Sequence, residues 1–190
     1  MLKYLVQKNR SYRRFYEDHK ISIETLEELI DLARLSPSGA NLQPLKFIIS
    51  NTPEKNEIIF PNTLWAGYLK DWDGPEEGER PSAYIIILAK TSSAKPTEYD
   101  VAIAAQSMLL GAVEKGLGGC MIGSIKRNKL INEIPVPEGF KISLILALGK
   151  PKEEIVIDDL AGEEIKYWRD EDQVHHVPKR KLEDLIIRYY

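Results

Sequence analysis

Between Val101 and Val113 only Gln106 and Ser107 are polar; every other position is Val, Ala, Ile, Met, Leu or Gly. The segment from Asp100 to Lys115 therefore reads as a helix that is apolar nearly all round. Such a helix cannot leave one side in water, so it is central to the fold or lies in a subunit interface. The other elements, or a second copy of the chain, must cover it on more than one side. It is too short for a membrane span, which needs ~20 apolar residues. The longest unbroken apolar run, around Ile85 to Ala89, suits a buried strand.

The remaining pattern alternates helices and strands. Ile23, Leu26, Leu29, Ile30 and Ala33 fall at helical spacing, with Ser22 as N-cap and Glu24, Glu27 and Glu28 near the positive end of the dipole. Pro37 stops that helix. Phe47 to Ile49 reads as a short strand, and Pro53 to Ile59 as a helix opened by Thr52-Pro53. Residues 62–81 mix Trp65, Tyr68 and Trp72 with Gly-Pro and acids, which predicts a helical turn followed by a loop. Ala83 to Lys90, Cys120 to Ile122 and Ile142 to Leu148 read as strands, with Lys126 to Ile131 a short helix between the last two. Leu182 to Ile187 suits a terminal helix or strand. A chain of 190 residues is the size of one domain, here taken as 1–190, with α and β elements around one sheet.

Charge excludes several classes of function. Lys plus Arg is 26 against Asp plus Glu 29, a net charge of −3, and a dedicated nucleic-acid binder needs a basic face. Cys120 is the one cysteine and reads as a buried hydrophobe, and three histidines offer no metal-ligand spacing. Met1-Leu2-Lys3-Tyr4 leads into polar sequence unlike a signal peptide, so a soluble, cytoplasmic protein without a metal is expected. The balance nevertheless hides an asymmetry. The first twenty residues hold Lys3, Lys8, Arg10, Arg13, Arg14 and Lys20 against Glu17 and Asp18, whereas Asp71 to Glu79 is strongly acidic. Arg10 and Arg13 around Ser11 suit a phosphate, because guanidinium offers forked donors and Ser adds a neutral one. A solvated basic patch explains the same residues.

Three further stretches carry possible chemistry. Ser36-Pro37-Ser38-Gly39-Ala40-Asn41-Leu42-Gln43-Pro44 offers two carboxamides and several backbone amides, suited to the polar edge of a heterocycle or simply to turning the chain. Gly116-Leu117-Gly118-Gly119-Cys120-Met121-Ile122-Gly123 fails as a dinucleotide fingerprint, because Met121 stands where a glycine is required and a helix precedes the stretch. Gly116 and Gly118 read as left-handed helix caps, and Gly123 as a place where a flat ligand can meet backbone amides. His175 and His176 face opposite ways on a strand and read as a surface pair. Lys179-Arg180-Lys181 is a second basic cluster. No nucleophile triad, paired carboxylates or P-loop is present, so a hydrolase is poorly supported.

Taken in order, Asn9-Arg10-Ser11-Tyr12-Arg13, Pro37 to Pro44, Gly116-Leu117-Gly118 with Ile122-Gly123, Ala147-Leu148-Gly149-Lys150-Pro151 and Val177-Pro178-Lys179-Arg180 resemble the nitroreductase-like FMN-dependent oxidoreductases. The resemblance implies an α+β fold with a central, mostly antiparallel sheet flanked by helices. It also implies an intertwined homodimer with FMN at the subunit interface, the long apolar helix supplying much of the contact. By position, Arg10, Ser11 and Arg13 would hold the phosphate and reach the pyrimidine side. Pro37, Ser38, Gly39 and Asn41 would line the ring and ribityl chain, partly from the other subunit. Ile122 and Gly123 would present backbone amides near flavin N5, and Lys179 or Arg180 would complete the phosphate clamp. Asn9 stands where many members carry a basic residue, Leu45 replaces an aromatic, and the acidic loop Asp71 to Glu79 replaces a longer helical lid.

The resemblance implies that the cofactor, not a side chain, carries the hydride, so no catalytic residue is expected from the protein. NADH or NADPH and a small aromatic acceptor, a quinone or nitroaromatic, would use one site in turn. Trp65 and Tyr68, with Trp72, are candidates for an aromatic wall around the substrate. A flavin store or sensor without turnover, and other flavin chemistries on the same fold such as reductive dehalogenation, remain as alternatives.

Overall fold

The computed structural model describes residues 1–93 and 97–190. Helix α1 covers Leu2–Lys8 and a two-residue strand β1 covers Phe15–Tyr16. Helix α2 (Ile23–Leu35) follows, with Ser22 Oγ accepting the Thr25 amide at its N-terminus as its sequence predicts. Strand β2 (Leu45–Ser50), helix α3 (Pro53–Ile59) and strand β3 (Ala83–Lys90) come next. Helix α4 (Glu98–Glu114) is the apolar helix, starting two residues earlier than expected, and leads into β4 (Gly118–Ile122). Helix α5 (Arg127–Leu130) precedes the long strand β5 (Phe140–Pro151). Strands β6 (Ile155–Asp159), β7 (Trp168–Arg169) and β8 (His175–Lys179) complete the regular structure. The expected element at Leu182 to Ile187 is only a 3-10 turn, Leu182–Asp184.

The main sheet is antiparallel throughout. Strand β5 pairs with β3 along one edge, and with β4 and then β1 along the other, while β2 closes the far side of β3. Both faces of β3 are covered, which explains its unbroken apolar run. Ile85 and Ile87 face α2 and α4, whereas Tyr84, Ile86 and Leu88 face Ile59, Cys120 and Leu130. Fully burying each such side chain is worth about 1.5–3 kcal/mol over leaving it in water.

Within the chain α4 covers the sheet and packs on α2, with Ala105, Met108, Leu109 and Ala112 buried. The two polar residues between Val101 and Val113 are both used. Ser107 Oγ lies 2.7 Å from Ser36 Oγ at the end of α2, and Gln106 Oε1 accepts from Asn9 Nδ2 at 3.1 Å. The outward stripe is apolar and uncovered: Tyr99 is 75% and Ile103 39% exposed. Helix α1 buries no residue, and Leu185, Ile187 and Tyr190 near the C-terminus are exposed as well.

The sequence reading missed the small sheet β6-β8-β7, in which β6 and β8 run parallel. The one apolar run, Ile155 to Ile157, is three residues long and ends at Asp158, while β7 and β8 carry Arg169, His176 and Pro178, so the pattern gave little signal. Pro178 is tolerated because it lies beyond the short pairing of β8 with β7. Gly118 is also corrected: only Gly116 has the left-handed φ of a cap, at +72°. Gly118 is a strand residue whose missing Cβ makes room for Tyr12 and Pro151.

Candidate functional site

Strand β4 rises beside the residues that follow α1. Ser11 bridges Gly119 in parallel, and the Tyr12 amide donates to the Gly119 carbonyl at 3.0 Å. The turn is fixed from below by Glu153, whose carboxylate is wholly buried. It accepts from the backbone amides of Arg13 and Arg14 and from Arg169 Nη2 at 2.9 Å. A cavity of about 280 Å³ results, lined by Arg10, Ser11, Arg13, Tyr167, His175 and Lys179 among others.

The cations of this cavity are unmatched. Among the described residues, none of Arg10, Arg13 and Lys179 pairs with a carboxylate, although nine ion pairs form elsewhere. Arg13 is 9% exposed; its Nη1 donates to the Ser11 carbonyl at 3.1 Å, and its guanidinium lies 4.8 Å over the Tyr167 ring. Arg10 donates to the Val6 carbonyl at 2.8 Å, yet its buried Nε has no partner among the described residues. Burying the Arg13 guanidinium with no counter-ion is costly, and Arg10 and Lys179 add positive charge beside it, so the cavity suits an anion.

His175 also lines the cavity. It is 1% exposed, not a surface residue as its sequence context predicts, because β8 turns it inward against Tyr167 at 5.1 Å. Burial, then the charges of Arg13, Arg169 and His176, push its pKa down to about 4, so it is neutral near pH 7. Arg13 Nη1 lies 3.4 Å from its Nε2 and can only donate, so Nε2 accepts and the proton sits on Nδ1. That Nδ1 has no partner among the described residues. His176 faces the other way, stacked on Trp168 at 4.8 Å and bonded to Asp158 and Asp170.

A second cavity of about 360 Å³ adjoins the first through Arg13 and Met121, and is lined by Trp65, Cys120, Ile122 and Gly123. Gly123 stands at the end of β4, its carbonyl accepting from Arg127 Nη2 at 3.0 Å. A Cβ there would meet no protein atom within 4 Å, so the backbone at Gly123 is open to the cavity. Cys120 is buried, and burial pushes its thiol pKa up, as its core role predicts. Tyr68 lies 5.0 Å from Tyr167 and joins the 62–81 loop to the first cavity, whereas Trp72 packs under Arg169 at 4.4 Å. The acidic loop is clamped at its end: Arg14 and Lys152 pull the Glu79 carboxyl down to about 2.

The loop from Pro37 to Asn41 lies elsewhere. Gly39 N donates to Asp100 Oδ1 at 2.9 Å near the N-terminus of α4, and Pro37 and Ser38 line a separate small cavity with Ile103 and Ala104. Its two carboxamides bond one another, Gln43 Nε2 donating to Asn41 Oδ1 at 3.2 Å. Ala40, Asn41 and Gln43 all hold left-handed φ, at 50°, 55° and 47°. Such strain persists only where the surroundings impose it and clusters at functional sites. The structure thus brings Arg10, Ser11, Arg13, Lys179, Ile122, Gly123 and Trp65 to two joined cavities, and leaves Pro37, Ser38, Gly39 and Asn41 apart. Arg180 also stands apart, paired with Glu163 at 3.4 Å.

Comparison with known proteins identifies the family of the chain. Residues 6–150 match the Nitroreductase family. A protein of Archaeoglobus fulgidus, whose name carries both NADH dehydrogenase and NAD(P)H nitroreductase, is 28% identical over 149 residues, covering 74% of this chain and 80% of its own. An iodotyrosine deiodinase of Thermotoga neapolitana is 26% identical over 167 residues, covering 80% of this chain and 89% of its own. Among solved structures, an FMN-dependent nitroreductase of Clostridium difficile has a TM-score of 0.62 at 24% identity, covering 84% of this chain and 91% of its own. A Streptococcus pneumoniae nitroreductase-family protein has a TM-score of 0.69 at 16% identity, covering 85% and 96%. With the α+β fold, the antiparallel sheet and most of the sequence in agreement, the chain belongs to the nitroreductase family.

Proposed function

We propose that this protein is an FMN-dependent NAD(P)H oxidoreductase acting on small aromatic acceptors such as quinones or nitroaromatics. The observation that carries the reading is the convergence of Arg10, Arg13 and Lys179, none paired with a carboxylate, on a cavity continuous with the open backbone at Gly123. FMN, when bound, supplies the hydride-accepting and hydride-donating chemistry. Arg10, Ser11 and Lys179 bind its phosphate; Lys179 takes this role rather than Arg180, which Glu163 occupies. Arg13, held by the Ser11 carbonyl and His175, fixes positive charge beside the pyrimidine edge. The backbone at Ile122 and Gly123 would border the flavin ring, and Trp65 and Tyr68 would wall the open side. Pro37, Ser38, Gly39 and Asn41 complete the site from a second copy of the chain, since their own copy holds them away from it. Donor and acceptor share one opening, which gives ping-pong kinetics.

The test is spectroscopic. Protein purified with added FMN is expected to show flavin absorbance that bleaches under NADH or NADPH without oxygen and returns with a quinone or nitroaromatic. A colourless protein that takes up no FMN overturns the reading; flavin that neither nucleotide bleaches makes it a store. A second reading, reductive removal of a halogen from an aromatic substrate, draws support from the relative named iodotyrosine deiodinase. Release of halide from a halogenated phenol, with no turnover of quinones, favours it.

A further inference from the structure

A buried arginine is ordinarily held by a carboxylate, which also neutralises it. Arg13 is 9% exposed and is held differently. Its Nη1 donates to the Ser11 carbonyl at 3.1 Å and lies 3.4 Å from His175 Nε2, and its guanidinium stands 4.8 Å over the Tyr167 ring. The rings of Tyr167 and His175 are 5.1 Å apart, so together they form one wall against the guanidinium. A carbonyl, an imidazole and an aromatic face are all neutral.

The buried acid of this region is committed elsewhere. Glu153 Oε1 accepts from the backbone amides of Arg13 and Arg14, and its Oε2 from Arg169 Nη2. Its single negative charge is thus matched by Arg169. The charge of Arg13 is left over, and it borders a cavity shared with Arg10, Ser11 and Lys179. The fold fixes His175 for its part: the His175 amide donates to the Glu154 carbonyl at 2.9 Å, and the ring is turned inward. The charged groups around that ring are Arg13, Arg169 and His176, all basic, and they join burial in keeping a proton off it. A guanidinium can only donate, and a neutral imidazole can accept.

We propose that His175 is a positioning residue: it orients the Arg13 guanidinium without neutralising it, so that the full charge acts on the anion in the cavity. The inference rests on the reading of that cavity as an FMN site. There an unneutralised cation favours the reduced, anionic cofactor over the oxidised one. His175, acting through Arg13, thereby raises the flavin potential.

Two replacements of equal shape separate charge from packing. His175→Gln offers a neutral oxygen in place of Nε2; His175→Glu offers a charged one, which Arg13 and Arg169 keep ionised. FMN affinity is read by fluorescence titration, the midpoint potential by anaerobic dye titration, and stability by thermal unfolding of the flavin-free proteins. The Gln variant is expected to keep the potential of the parent. The Glu variant is expected to favour oxidised over reduced flavin about tenfold more than the parent does, a fall of about 30 mV for a two-electron couple. His175→Leu has no acceptor and is expected to weaken FMN binding several-fold relative to the Gln variant, a comparison that serves even where a buried carboxylate prevents folding. Equal potentials in the Glu and Gln variants overturn the proposal, as does equal FMN affinity in the Leu and Gln variants. A parent chain that takes up no FMN overturns the site reading itself, a result distinct from indifferent variants of a flavin-loaded protein.

Discussion

Glu79 and His175 carry opposite charges when ionised, yet both make the fold sensitive to acid, in different windows. The Glu79 carboxyl is held at about 2 in the fold against an ordinary 4.5, so its contribution is complete above 4.5 and is lost as pH falls toward 2. His175 is held at about 4 against 6.5; the unfolded chain takes up a proton between these values and the folded chain does not, so stability falls across that interval. Each contributes on the order of 2–3 kcal/mol. Denaturant unfolding from pH 8 to 3 is expected to show both limbs. His175→Gln removes the upper one and spares the lower, and Glu79→Gln does the reverse. At the candidate site, Arg13→Ala and Lys179→Ala are each expected to weaken FMN retention roughly tenfold. Arg180→Ala leaves retention unchanged, as fluorescence titration would show. The arginines were visible in the sequence because charge is carried by the residue itself. Glu153 and His175 were not, because burial gives them their role and only the fold decides burial.

Elements show the same division. Helix α4 was plain from its composition, since thirteen residues with two polar positions leave little choice. What those two residues do was hidden, because Ser36 and Asn9 reach them from distant parts of the chain. The small sheet was hidden altogether: its strands are short, and β6 and β8 pair in parallel across the intervening turns and β7. Strand β4 and the residue that follows it offer a contrast between two glycines four positions apart. A Cβ on Gly119 would stand 2.6 Å from the Ala147 carbonyl oxygen, and backbone cannot yield. Gly119→Ala is expected to cost about 1–3 kcal/mol in thermal unfolding. Gly123 faces open space, so Gly123→Ala keeps the stability of the parent while its flavin affinity drops, measured on the same sample. A loss of stability there instead would show that the protein, not a ligand, needs the gap.

At the scale of the molecule, the apolar residues left outside form a pattern: the outer stripe of α4, all of α1 and the C-terminal residues. Exposed apolar surface of this extent marks an interaction site. In the proposed assembly a second copy covers it and brings its Pro37–Asn41 loop to the flavin. Light scattering is expected to give a mass near twice 21.7 kDa. Ile103→Asp, which places a charge on the exposed stripe, is expected to halve that mass and release the flavin together. The family resemblance carried the sheet and the helix order, but which loop serves which copy depends on contacts between chains that no spacing encodes. In that proposed assembly, the separation of the loop from the cavity it would complete would also make supply of the protein a control on its own output. When chains are too dilute to pair, competent sites rise with the square of chain concentration, so halving expression removes about three quarters of them. FMN, by holding pairs together, would work against that loss, and cells short of the vitamin from which it is made would lose activity twice over.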